Sequence, residues 1–165
     1  MKRKNELKVY VLMLSKEFPK EHPKAGQPTR FAHLLGNGLN LTEDGLRICK
    51  HKIHTIRANY PLWKERIAEI QRGKACLSVR QWTGKPYRSS QVEIAKLTVA
   101  DRVHVQKLNF NCDILNFEID NRGYTASPSM LAWHDGLTVE EWRDWFKGYD
   151  LTKSMAIIHF TPFRY

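Results

Sequence analysis

Apolar and polar positions change period several times along this chain. Residues 9–15, "VYVLMLS", form a continuous apolar run, the pattern of a strand buried on both faces. The following "KEFPKEHPKAGQPT" carries three prolines and a glycine and predicts a long ordered loop over 16–29. A capping Thr29, apolar residues at 31, 34 and 35, and the glycines of "LLGNG" predict a short helix that ends at those glycines. Residues 39–50 read as an insert, and the β-branched stretch Ile53–Ile56 as extended chain. "NYPLWKERIAEIQRG" is the clearest helix. Asn59 caps it, Pro61 fits its first turn, Leu62, Trp63, Ile67 and Ile70 share a face, and Gly73 ends it.

Period two then takes over. "ACLSVRQW" alternates, with Cys76, Ser78, Arg80 and Trp82 on one parity. "TGKPYRS" is a turn, and "QVEIAKLTV", "RVHVQKLNF" and "ILNFEID" continue as short strands. "ASPSMLAWHDG" reads as a short helix from about Pro128. "LTVEEWRDWFKG" reads as a stronger one, with a T-x-x-E capping box (Thr138, Glu141), staple spacing between Leu137 and Trp142, and an aromatic face of Trp142, Trp145 and Phe146. "MAIIHFTPF" closes the pattern as a strand. Short strands in succession with a few helices outside them predict an α+β fold, a small barrel of short mixed strands with flanking helices. The length of 165 residues predicts one domain over 1–165.

Composition adds a strong bias. The formal net charge of +10 predicts a field that attracts polyanions, nucleic acid first; the bland alternative is solubility or loose binding. Three cysteines (Cys49, Cys76, Cys112) without a C-x-x-C pair point to a reducing compartment, not a disulfide scaffold or a zinc site. The start "MKRKNELK" lacks an apolar stretch of signal-peptide form, and no run approaches the roughly 18 apolar residues of a membrane span. A cytoplasmic protein without a membrane partner is expected. His51 and His54 are spaced i, i+3 without a carboxylate nearby, so the histidines read as structural or surface groups; neither a metal nor another cofactor is expected. Nothing in the pattern sets an oligomeric state.

Two clusters carry candidate chemistry. "KHKIHTIRANY" crowds Lys50, Lys52 and Arg57 around Thr55. It reads as a solvated turn, a grip on RNA phosphates, or a hydrolase site in which Lys52 activates the Thr55 hydroxyl. "RQWTGKPYRSSQ" interleaves Arg80, Lys85 and Arg88 with Trp82 and Tyr87. Cations that hold phosphates beside rings that stack bases suit single-stranded nucleic acid, and a hairpin with cross-strand aromatic packing is the plain alternative.

"KIHTIR", followed by a helix, strands and "AWHDGLTVEEWRDWF", resembles the ASCH domain family, whose β-barrel is related to the RNA-binding PUA domain. The family signature is G-x-K-x-x-E-x-R, with a later acidic position and glycine before a helix. Lys52 takes the signature lysine, Arg57 the arginine and Asp135 the later acid, while Lys50 stands in place of glycine and Thr55 in place of glutamate. The form K-x-x-T-x-R is similar to that of bacterial acetylcytidine amidohydrolases, whose catalytic lysine, threonine and glutamate fall on Lys52, Thr55 and Asp135. The resemblance spans roughly 31–160, leaving out the 16–29 loop and the 39–50 insert.

The resemblance implies a PUA-like fold whose basic cleft binds RNA, a nucleoside or a nucleotide. It also implies an alternative, an amidohydrolase acting on an acylated nucleoside, with Lys52 as base, Thr55 as nucleophile or water-positioner, Asp135 as orienter and Arg57 as anion stabiliser. A third expectation is a protein-interaction role for the proline-rich loop. On a straight strand Lys52 would face away from Thr55 and Arg57, so the catalytic reading needs the strand to begin only at His54.

Overall fold

Two strands rich in buried residues, β3 (Ala75–Trp82) and β8 (Met155–His159), lie in the interiors of two different sheets. The computed structural model describes residues 6–123 and 125–165; the basic start "MKRKN" lies outside them. In the first sheet β3 lies between β1 (Lys8–Met13), which it pairs in parallel, and the antiparallel β4 (Gln91–Leu97). In the second, the order is β2 (His54–Arg57), β8, β5 (His104–Asn111), β6 (Asp113–Ile119) and β7 (Arg122–Gly123), all antiparallel. Five α-helices among the described residues accompany the two sheets, a mixed α+β fold. Among the described residues the two sheets are separate and do not close into one hydrogen-bonded barrel.

α3 (Tyr60–Gln71) and α5 (Val139–Phe146) begin where their caps predict, whereas α1 (Phe31–Asn40) has Arg30, in the left-handed region, at its N-cap position and not the expected Thr29. α3 starts behind Asn59, whose Oδ1 accepts the Leu62 N–H, and turns Trp63, Ile67 and Ile70 into the core against β3, β5 and β8. α4 (Pro128–His134) is capped by Ser127. α5 carries the full capping box: Glu141 N–H donates to Thr138 Oγ1 at 3.2 Å, and Thr138 N–H to Glu141 Oε2 at 2.9 Å. Each cap satisfies amides that the helix leaves open.

Two further local expectations need correction. β1 is an edge strand, not one buried on both faces: Val9 and Val11 are 47% and 38% exposed, while Leu12 is buried. A continuous apolar run carries no period and cannot say which side is covered. α1 does not stop at its glycines. It runs through Gly36 and Gly38, and a Cβ at Gly38 would lie 2.4 Å from the Lys52 carbonyl, so glycine there admits the chain that leads into β2. The 39–50 insert holds a further short helix, α2 (Gly45–Ile48).

Candidate functional site

The segment before β2 is gripped from two sides. Lys52 N–H donates to the Leu34 carbonyl of α1, and Ile53 N–H to the His134 carbonyl at the end of α4, each at 2.9 Å. Regular strand pairing begins only at His54. This offset turns Lys52 toward the side on which Thr55 and Arg57 stand, and all three line one small chamber with Asp135. The "DG" after α4 brings Asp135 there. Gly136 adopts φ +83°, and a Cβ on it would meet Leu34 at 3.1 Å and crowd Lys52, so the tight exit from α4 depends on glycine.

Inside the chamber Lys52 Nζ lies 2.5 Å from Asp135 Oδ1 and donates to the Asp135 carbonyl at 2.8 Å. The same ammonium stands over the Phe31 ring, 4.1 Å from its centroid. Lys52 is 1% exposed and Asp135 3%. Burial pushes the lysine below its ordinary value and the carboxyl above its own, while their mutual attraction pulls each back. The proton between them is thus held in a tight pair. A lysine so engaged must first give its proton to Asp135 before it can act as a base. The chamber measures about 20 Å³, room for a single water and nothing larger.

Behind Asp135 lies a histidine cluster that the sequence pattern did not reveal. His54 and His159 face each other across β2 and β8, with ring centroids 5.7 Å apart. His54 Nδ1 is 3.9 Å from Asp135 Oδ1, and its Nε2 is 2.7 Å from the Tyr165 hydroxyl. His51 donates from Nδ1 to the Cys49 carbonyl and accepts from His134 Nδ1, both at 2.7 Å. His159 donates from Nε2 to Gln106 Oε1 at 2.9 Å. Burial pushes all four histidines down, His134 to about 4, so they are neutral core groups. Among the described residues no group of three or more His, Cys, Asp or Glu side chains is arranged to hold a metal ion.

The second cluster opens beside the first. A cleft of about 530 Å³ is lined by Trp82 at the end of β3, by Lys85 and Tyr87 from the β3–β4 connection, and by Lys16, Glu17 and Phe18 from the proline-rich loop. Ser15 and Arg57 line both this cleft and the small chamber. Trp82 and Tyr87 pack at 5.3 Å with a 51° tilt. Tyr87 is nonetheless 90% exposed and sits at φ +61°, a costly backbone region for an aromatic residue. Arg80 and Arg88 are not part of the cleft lining. Arg80 lies along the sheet, donating from Nε to Ser78 Oγ at 2.8 Å and from Nη1 to Gln91 at 3.3 Å.

The 16–29 loop is a fixed wall. Phe18 packs edge-on against Trp145, His22 Nε2 donates to the Glu141 carbonyl at 3.0 Å, and Lys24 pairs with Glu141 at 2.6 Å. Lys16 Nζ reaches across the cleft to the Thr83 carbonyl at 2.8 Å. The cleft contribution of Lys16, Glu17 and Phe18 was invisible in sequence, because a proline-rich stretch signals a loop without saying what it covers.

All three cysteines are free, and no helix among the described residues is long and apolar enough to cross a membrane. No protein-family model, no curated protein and no solved structure matches this chain.

Proposed function

We propose that this protein is an RNA- or nucleotide-binding module of ASCH type, with the cleft between the β3–β4 connection and the 16–29 loop as its ligand site. The observation that carries this reading is Tyr87. An exposed ring held against Trp82 on a strained backbone, at the wall of a cleft of small-ligand size, is a stacking platform with no structural partner outside it. Lys85 at the same wall and the +10 charge of the chain supply attraction for phosphate.

The test is binding of a short single-stranded RNA, followed by anisotropy across a salt series. Affinity should fall steeply as salt rises. Equal affinity at low and high salt would sink the reading.

A second reading, hydrolysis of an acylated nucleoside, is favoured by one observation: Lys52, Thr55, Arg57 and Asp135 line the same chamber. In that reaction Asp135 would take the Lys52 proton, freeing the amine to activate Thr55 or a water, and Arg57 would stabilise the oxyanion. An acyl group is larger than the chamber holds, so Arg57 or another lining side chain must move before one enters. Turnover of a panel of acylated cytidines, lost in Lys52→Ala, is the expected result; no turnover across the panel counts against it.

A further inference from the structure

Arg57 is a partly buried guanidinium that lacks an anion. Its Nη2 donates to the Met13 carbonyl, and its Nε is buried without a partner. None of the ion pairs among the described residues includes it. Asp135, on the far side of the small chamber, is committed to Lys52. Cations withdrawn from water are normally paired, and the planar fork of arginine suits bidentate capture of a phosphate or carboxylate.

The position of Arg57 says what kind of anion would complete it. It stands in the wall shared by the wide cleft and the one-water chamber. A ligand that stacks on Trp82 and Tyr87 and reaches inward meets this guanidinium, and beyond it there is no room for a chain to continue. An internal phosphodiester needs a path on both sides; a terminal phosphate needs only one.

We propose that Arg57 seats the terminal phosphate monoester of a nucleotide whose base stacks at Trp82 and Tyr87, so that the cleft takes an end and not a through-running strand. This deepens the nucleotide-binding reading and rests on it. The phosphate belongs either to a free mononucleotide or to the phosphorylated end of an RNA. Burial holds the Arg57 guanidinium below its ordinary value, with Tyr149 and Asp135 pulling the other way, and a phosphate dianion would oppose the effect of burial.

Calorimetric titration of the full chain with a nucleoside, its 5′-monophosphate, and short RNAs with and without a 5′-phosphate tests this. The monophosphate should bind about tenfold or more tightly than the nucleoside, the size of one charge-assisted contact. Arg57→Gln should remove that advantage, so that within the variant the monophosphate and the nucleoside bind alike. The nucleotide–nucleoside comparison needs no variant, so it decides even if Arg57→Gln fails to fold. Preference for the phosphorylated RNA without binding of the mononucleotide supports the proposal with an RNA end as the source. RNA that binds equally with and without the 5′-phosphate, while nucleoside and monophosphate do not differ, overturns the phosphate seat and leaves the nucleic-acid reading standing. Absence of binding by every ligand overturns both.

Discussion

The Lys52 ammonium lies 2.5 Å from one carboxylate oxygen of Asp135 and 2.8 Å from the carbonyl of the same residue, with both side chains sealed from water. Removing one partner strands the other charge in the core. Asp135→Ala should therefore cost about 3–5 kcal/mol of stability. The double variant Lys52→Met, Asp135→Ala should cost much less than the sum of the two single changes. Urea unfolding of the three variants measures the coupling, and strict additivity would mean that the pair does not act as a unit.

Acid should unfold this protein early. His51, His54, His134 and His159 bind protons less readily folded than unfolded, where the ordinary value is 6.5. The unfolded state thus gains protons first, and stability is lost as pH falls from about 6.5 toward the His134 value of about 4. Asp135 acts with the opposite sign at the acid end, because burial raises its carboxyl. Each kcal/mol lost lowers Tm by roughly 2–4 °C. Melting curves between pH 7.5 and 4.5 should show the decline, and His134→Asn should flatten it.

Arg80 should not behave like the residues around it. Trp82→Ala should weaken RNA binding by about 1–3 kcal/mol through lost stacking. Lys85→Ala should weaken it and reduce the salt slope by about 0.7. Arg80, which is tied to Ser78 and Gln91 and does not itself line the cleft, should change affinity less than Lys85 when replaced by alanine. Anisotropy titrations of the three variants at two salt concentrations separate these cases.

Glu141 joins a helix cap to the cleft wall. Its carboxylate accepts from Thr138 N–H through one oxygen and pairs with Lys24 through the other. Glu141→Ala should cost about 0.5–2 kcal/mol, the range of a lost cap. It should also raise hydrogen exchange across residues 16–29 more than across α3, which makes no use of the pairing. Uniform exchange in both segments would show that the loop is held by Phe18 and His22 alone.

Much of the local architecture was legible because its causes are local. Asn59 with Pro61, and Thr138 with Glu141, mark the starts of α3 and α5, and Pro128 the start of α4, since capping is chemistry between near neighbours. The grouping of Lys52, Thr55, Arg57 and Asp135 was an expectation from family likeness, conditional on a strand beginning at His54, and that is where pairing begins.

The tertiary structure alone decided the rest. Lys52 and Asp135 are 83 residues apart, and the tightness of their pair and the one-water size of their chamber follow from how α1, α4 and β2 converge. The histidine cluster exists because β2 and β8 pair in one register, which places His54 opposite His159. The exposure of Val9 and Val11 follows from the position of β1 at a sheet edge. Period and capping are set by a residue's near neighbours, whereas burial, charge pairing and cavity volume are set by elements that meet only when the chain has folded.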